Sequence, residues 1–268
     1  MEKFINKIAK TIYTSKKEQL EDLCIVLPSK RAGTFFKQAL ADLSDVPLWM
    51  PKIYSIEDWL EELSSYAILD RTSLLFELYI SYQKVFPKEE QDSFESFLKW
   101  APMLLTDFND IDAYLESPQK LFDYLHQAKK IEAWTPIGGE TSDMVNNYLR
   151  FWELMGLLFV DFKERLDLHN KAFQGMAYRR ASDVISRWIV ENKPVKGSVC
   201  YIGFNAMNPC EERIMRTLIA EDIAEVFWDA DTYYLNDKKQ EAGKYLRKHK
   251  QWSEFESRGF NWTCSELK

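Results

Sequence analysis

The stretch LCIVLPSKRAGTFFKQAL, residues 23–40, decides the fold. Its first five residues, Leu23–Leu27, form an unbroken and partly β-branched apolar run, the pattern of a strand buried on both faces of a parallel sheet. Pro28-Ser29 ends the run. Ser29 is placed to cap a helix from Lys30 to about Leu43, in which Phe35, Phe36, Ala39, Leu40 and Leu43 recur at helical spacing. Further along, Met50–Tyr54 predicts a second short strand. Ser55-Ile56-Glu57-Asp58 then reads as the capping-box start of a helix carrying Trp59, Leu60 and Leu63. Strand–helix–strand–helix is the grammar of a parallel sheet. That grammar returns at Ser198–Gly203 and Ala224–Asp229, with a helix over about Pro209–Ala220 between them and basic helical sequence over about 238–256.

Between residues 69 and 192 nothing reads as strand. The spacing predicts helices over about 71–86, 93–115, 118–134, 142–167 and 171–192, with Ser117-Pro118 as cap and first-turn pair of the third. Thr135–Thr141, with Gly138-Gly139, reads as a loop. Phe94, Phe97 and Trp100, then Tyr148, Phe151, Trp152 and Phe159, stripe these helices at the spacing of a bundle core. The first two strands could not pack well alone, so the helical block is read as an insertion into one sheet domain. The expected organisation is an α/β core of residues 1–68 and 193–268, split by an all-helical insertion over 69–192.

Composition excludes several classes. Apolar residues make up 46% of the 268 and charged residues 29%, a globular balance. MEKFINKIAKTIY holds Lys3, Lys7 and Lys10 among its apolar residues and has no secretory h-region, and the longest apolar stretch, near Leu154–Val160, is too short to span a bilayer. Cys24, Cys200, Cys210 and Cys264 stand singly with no metal-ligand spacing, which fits a reducing cytoplasm. The net charge of −7 argues against a surface that coats nucleic acid generally. Its distribution is uneven, however. Residues 1–40 hold eight Lys/Arg against four Asp/Glu and residues 236–258 seven against four, while residues 41–235 hold nineteen against thirty-three. Such asymmetry permits a local polyanion site at the basic ends, and solvated helix faces are the plain alternative.

No glycine precedes Gly33, and Gly243-Lys244 is followed by Tyr245, so the sequence lacks the glycine-rich turn and Lys-Ser/Thr pair of a phosphate loop. Ser29-Lys30-Arg31 sits where a strand ends and a helix begins, the edge at which open α/β sheets take ligands and free N–H groups favour phosphate. It reads either as a backbone-phosphate contact or as a capped helix with two solvated cations. Asp107, Asp110 and Asp112 read as a polar helix face, Asp107 and Asp110 sharing one side, and Asp229-Ala230-Asp231 as a turn. His126, His169 and His249 fall in separate elements and suggest no triad. No cofactor, metal or catalytic residue is expected.

Six segments, IVLPSKRAGTFFKQAL, PKIYSIEDWLEEL, SFESFLKWAPMLLTDFNDIDAYL, FQGMAYRRA, YIGFNAMNPCEERIM and VFWDADTYY, occur here in one order. Together they resemble the N-terminal region of AddB-like subunits of helicase–nuclease complexes of the Bacteroidetes type, in the PD-(D/E)XK nuclease family. The resemblance implies a RecA-like sheet like the first domain (1A) of superfamily 1 helicases. Leu27–Leu40 and Ile53–Trp59 are similar to segments that contact single-stranded DNA. Gly203-Phe204 stands where active helicases hold Mg²⁺ with an Asp-Glu pair, and Val226–Tyr234 is similar to the sensor segment without its Gln. With phosphate loop and carboxylate pair both missing, the resemblance implies a non-catalytic, inactivated helicase-like module that binds single-stranded or tailed duplex DNA, in double-strand-break processing and recombinational repair. Ser29, Lys30, Arg31 and Ser55 would make its phosphate contacts, an AddA/RecB-like helicase subunit would be its partner, and no membrane is implied. A nuclease domain would lie C-terminal to Lys268, in a longer protein of which this is a piece. The alternative is a purely structural domain docking an ATPase helicase subunit. The third reading is a degenerate nucleotide hydrolase using Asp229 and Asp231.

Overall fold

The structure is a computed structural model and describes residues 3–122, 124, 143–256, 259 and 262–263. The chain divides into two compact units, Met1–Leu63 with Ser182–Lys268, and Ser64–Ala181. The dividing points differ from the expected 68/69 and 192/193 because a helix runs through each of them, and a continuous helix leaves no composition break to read.

The first unit is built on parallel strands β1 (Cys24–Leu27), β2 (Lys52–Ser55), β5 (Val199–Ile202) and β6 (Ala224–Asp229), with a two-residue strand β7 (Trp262–Thr263) at one edge. Their order is β2-β1-β5-β6-β7, and each neighbouring pair is parallel. Val26 lies opposite Tyr54 and Tyr201, and Tyr201 opposite Val226, so these residues share one face. Ile25, Leu27, Cys200 and Ile202 share the other, where they pack with Ile8 and Ile12 of α1 (Phe4–Lys16) and with Phe36 and Leu40 of α2 (Lys30–Ala41). The continuous apolar run of β1 is thereby explained, since both of its faces are covered.

Helix α1 is an element that the sequence reading above does not include. Phe4, Ile5, Ile8, Ala9 and Ile12 recur at helical spacing between its lysines, and Ile8 and Ile12 are fully buried. Each such side chain contributes roughly 1.5–3 kcal/mol by leaving water. Lys16, at the end of α1, donates to the Gly197 carbonyl (2.6 Å) and pairs with Glu225 (2.7 Å), which fixes the helix to the amino edge of β5 and β6. On the opposite face of the sheet, Trp59 of α3 (Ile56–Ser64) meets Tyr201 edge to face at 5.6 Å.

The second unit is mostly helical: α4 (Arg71–Val85), α5 (Phe94–Phe97), α6 (Ala101–Ala113), α7 (Asp143–Asp167) and the first turns of α8 (Gln174–Asn192). Its core holds Tyr82, Phe97, Phe108, Phe159, Phe162 and Phe173, with Phe162 and Phe173 stacked at 5.7 Å. Phe94, Phe97, Trp100, Phe151 and Phe159 of the aromatic stripe belong to this core; the Tyr148 and Trp152 side chains lie outside the described residues. Asp112 is fully buried between Lys163 (2.7 Å) and Arg179 (2.6 Å).

Four local expectations are corrected. The insertion is not all-helical, because β3 (Ala67–Ile68) pairs in parallel with β4 (Lys171–Ala172), and a two-residue strand is too short to show a period. The last helix therefore starts at Gln174 rather than 171, after Asn170 makes a left-handed turn (φ 52°). The helix expected over 93–115 is two helices, since Pro102, in the first turn of α6, has no N–H to donate to the Leu98 carbonyl and its ring would clash with that group in a continuous helix. The basic stretch 238–256 is a chain of short turns, with one helix of six residues, α11 (Lys244–His249). Ser117 does cap a helix from Pro118, accepting from the Lys120 N–H (3.4 Å). The remainder of the 118–134 helix beyond residue 124, and the Gly138-Gly139 loop, lie outside the described residues. Among those residues no helix is long and apolar enough to cross a membrane.

Candidate nucleic-acid interface

Strand order fixes where a ligand site belongs. From β1 the chain moves outward to β2 through α2, and from β5 it moves the opposite way to β6 through α9 (Pro209–Ala220). Right-handed crossovers then put α2 and α9 on opposite faces of the sheet. The switch point lies between β1 and β5, and the crevice outside the carboxyl ends of those strands is where doubly wound sheets take ligands.

At the end of β1, Ser29 is extended (φ −155°, ψ 156°) and its Oγ accepts from the Ala32 N–H at 3.3 Å, capping α2. Leu27 is in register with Ser55, which brings the start of α2 beside the start of α3. Lys30 Nζ accordingly lies 2.8 Å from an Asp58 carboxylate oxygen. That bond holds the Asp58 carboxyl below its usual range, with help from the Ser55 hydroxyl, and raises the Lys30 ammonium. Ser55 is buried. Its Oγ donates to Asp58 Oδ2 (2.8 Å) and accepts from the Asp58 N–H (3.2 Å). Of the four sequence-selected residues, Ser29, Lys30 and Ser55 are thus engaged with the protein; Lys30 and Arg31 are both exposed, and Arg31, its guanidinium 5.7 Å from the Phe35 ring centroid, forms no ion pair among the described residues.

At the end of β5, Gly203 takes a positive φ (74°) and donates its N–H to the Phe227 carbonyl (2.9 Å). A Cβ there would stand 3.3 Å from Phe4 Cε1, so the first residue of α1 packs directly on this turn. Phe204 is buried edge-on against Tyr201 (5.5 Å). Asn208 and Glu211 form a reciprocal capping box on α9, with bonds of 3.0 and 2.9 Å. Burial pushes the Glu211 carboxyl up, and the nearby Glu57 adds to the effect. Glu57 at the start of α3 and Glu211 at the start of α9 are therefore close enough to repel each other.

The cations and rings gather at the end of β6. Asp231 accepts from the Tyr233 N–H (2.7 Å) and caps α10 (Thr232–Asn236), whose Tyr233 and Tyr234 are exposed. Arg247 shapes the loop that follows: it donates to the carbonyls of Tyr234 (2.5 Å), Asp237 (3.0 Å) and Gln240 (2.7 Å). Gly243 is required beneath it, because a Cβ would lie 2.7 Å from the Tyr234 carbonyl carbon and closer still to the oxygen. Lys238, Lys239, Lys244 and Lys250 are all exposed, and none forms an ion pair among the described residues; Tyr245 is exposed beside them. Behind this loop His249 is fully buried, its Nε2 2.7 Å from the Asn205 carbonyl and its ring stacked on Trp228 at 5.2 Å.

Sequence reasoning found the basic run but neither Arg247 as its organiser nor the tyrosines as its exposed neighbours. The available signal was the TYY that follows Asp231. Among the described residues no group of three His, Cys, Asp or Glu side chains could hold a metal ion. A scan of protein-family models finds no match to this chain, and a search of curated proteins finds no match either.

Proposed function

We propose that this chain is a non-catalytic, RecA-like and helicase-like module that binds single-stranded or tailed duplex DNA, and that scaffolds an AddB-like helicase–nuclease in double-strand-break repair. One observation carries the reading. In a chain of net charge −7, the cations Arg31, Lys238 and Lys239, which form no ion pair among the described residues, and the exposed rings of Tyr233 and Tyr234 come after the carboxyl ends of β1 and β6 in the chain. Those strands are two places apart in the sheet, roughly 10 Å. Cations that track a backbone and rings on which bases stack are the two elements of sequence-tolerant single-strand binding.

Catalysis is no part of this role. No glycine-rich loop supplies N–H groups to a triphosphate, and Asp231 is spent on capping α10. The nuclease activity of the complex would reside in a C-terminal domain of the full protein. Ser29 and Lys30 would shape the path of the strand beside Arg31, with Ser55 holding Asp58 in place.

The test is fluorescence anisotropy with single-stranded and tailed duplex DNA over a range of salt. Each phosphate contact lowers the slope of log K on log salt by about 0.7 for single strands, so Arg31→Ala/Lys238→Ala/Lys239→Ala should flatten it by about 2. An unchanged slope, or affinity that does not vary with salt, would sink the reading. The docking alternative draws on a specific observation: Lys30 is already neutralised by Asp58. Unchanged DNA affinity in the assembled complex with the triple variant would select it.

A further inference from the structure

A cleft of about 490 Å³ opens on the helical unit, walled by Leu104 and Phe108 of α6, Leu121 and Phe122 of the turn from Pro118, and Met155 of α7. The walls are apolar and the rim is acidic. Asp107 and Asp110, one turn apart on α6, and Glu116 just beyond it, line the cleft. Four other carboxylates of this unit have cations: Asp112 has Lys163 and Arg179, Glu77 has Arg165, Glu90 has Arg150 and Asp161 has Lys84. The three rim carboxylates form no ion pair among the described residues. Burial and the neighbouring Asp110 together push the Asp107 carboxyl above its usual range.

We infer that this cleft docks a basic amphipathic segment of a partner protein, with an apolar side chain in the cleft and Lys or Arg side chains on Asp107, Asp110 and Glu116. Charge complementarity selects that occupant. A like-charged rim beside an apolar floor is stabilised by a ligand that brings opposite charge and apolar surface together. Nucleic acid is disfavoured by the rim's sign. A single metal ion is disfavoured because these carboxylates do not converge on a point among the described residues. The inference uses other residues, on the other unit, and does not depend on the DNA contact.

The experiment titrates the full chain with a fluorescent amphipathic Leu/Lys model peptide and with its Leu/Glu counterpart. The Leu/Lys peptide should bind and the Leu/Glu peptide should not. Asp107→Asn/Asp110→Asn should weaken binding about tenfold, the loss expected of two partly exposed ion pairs. The charge-matched control Glu18→Gln/Glu21→Gln, on an exposed turn of the other unit, should bind as the parent does. Circular dichroism melting of each variant verifies that the fold is kept. Equal binding of the two peptides, equal loss in the control, or no binding of the Leu/Lys peptide overturns the proposal. Self-association abolished by the Asp107/Asp110 variant also overturns it, by making a second copy the occupant. A normal DNA slope with failed peptide binding would reject this surface alone.

Discussion

Replacing Asp112 by Leu keeps most of the side-chain volume and removes the one anion from a buried cluster. Asp112 is fully buried, and its carboxylate meets Lys163 at 2.7 Å and Arg179 at 2.6 Å. Removing one partner from a buried pair costs about 3–5 kcal/mol, because the other charge is left without compensation. Here the lower end applies. The Lys163 and Arg179 side chains keep about a quarter of their surface exposed (25% and 23%), so both can regain some water. Arg179 also retains its bonds to the Ile111 (2.9 Å) and Glu116 (2.6 Å) carbonyls. The expected loss is about 3 kcal/mol. Urea denaturation followed by circular dichroism should show a midpoint lower by about 1 M, for a slope near 3 kcal/mol per molar. Adding Lys163→Met removes one of the stranded cations, so Asp112→Leu/Lys163→Met should recover about half of the loss. A single-variant cost below about 1 kcal/mol, or costs that simply add in the pair, would refute the electrostatic account.

Gly175→Ala sets helix propensity against sterics. Ala should favour α8 by about 1 kcal/mol, but its Cβ would stand 2.9 Å from the Asn109 carbonyl carbon, closer still to the oxygen, and both are backbone. A net destabilisation of about 2 kcal/mol is expected in the same denaturation assay, and a gain in stability would contradict the close approach. Burial lowers the His249 pKa from its ordinary 6.5, with Glu212 (3.8 Å from Nδ1) and Lys248 as the charged neighbours. The unfolded state therefore binds the proton more readily. Stability from this residue is full above about 6.5 and is lost as pH falls below it, by up to about 1.4 kcal/mol per unit. Comparing the parent with His249→Phe between pH 7.5 and 5.5 isolates the effect; identical pH profiles would show that His249 does not titrate in this way.

The central sheet could be read from the sequence because β1 and β5, buried on both faces, are continuous apolar runs, whereas β6 (AEVFWD) alternates, with Ala224, Val226 and Trp228 buried and Glu225 and Asp229 exposed. The β3–β4 pair could not, since two residues carry no period. Pro102 was a visible break whose effect was masked by the apolar residues on both sides of it. At the candidate interface, the Ser29 cap is local and legible. The Lys30–Asp58 pair depends on the register of β1 with β2, which joins residues 28 positions apart and leaves no mark in either segment. Arg247 is equally opaque. Its partners are carbonyl groups, which every residue has, so no side-chain pattern announces them.

The small β3–β4 ladder has a consequence for chain entropy. Strands β1 and β5 are neighbours although the whole helical unit separates them in sequence, and closing so long a loop opposes the pairing of Val26 with Tyr201. Ala67 and Ile68 pair with Lys171 and Ala172, however, so the helical unit carries a clasp that brings its own two ends side by side. With the clasp shut, the open chain between β1 and β5 falls from the 171 residues 28–198 to the 39 before β3 and the 26 after β4. Each halving of such a loop recovers about 0.6 kcal/mol, so four residues ease the closure of the central sheet without touching it.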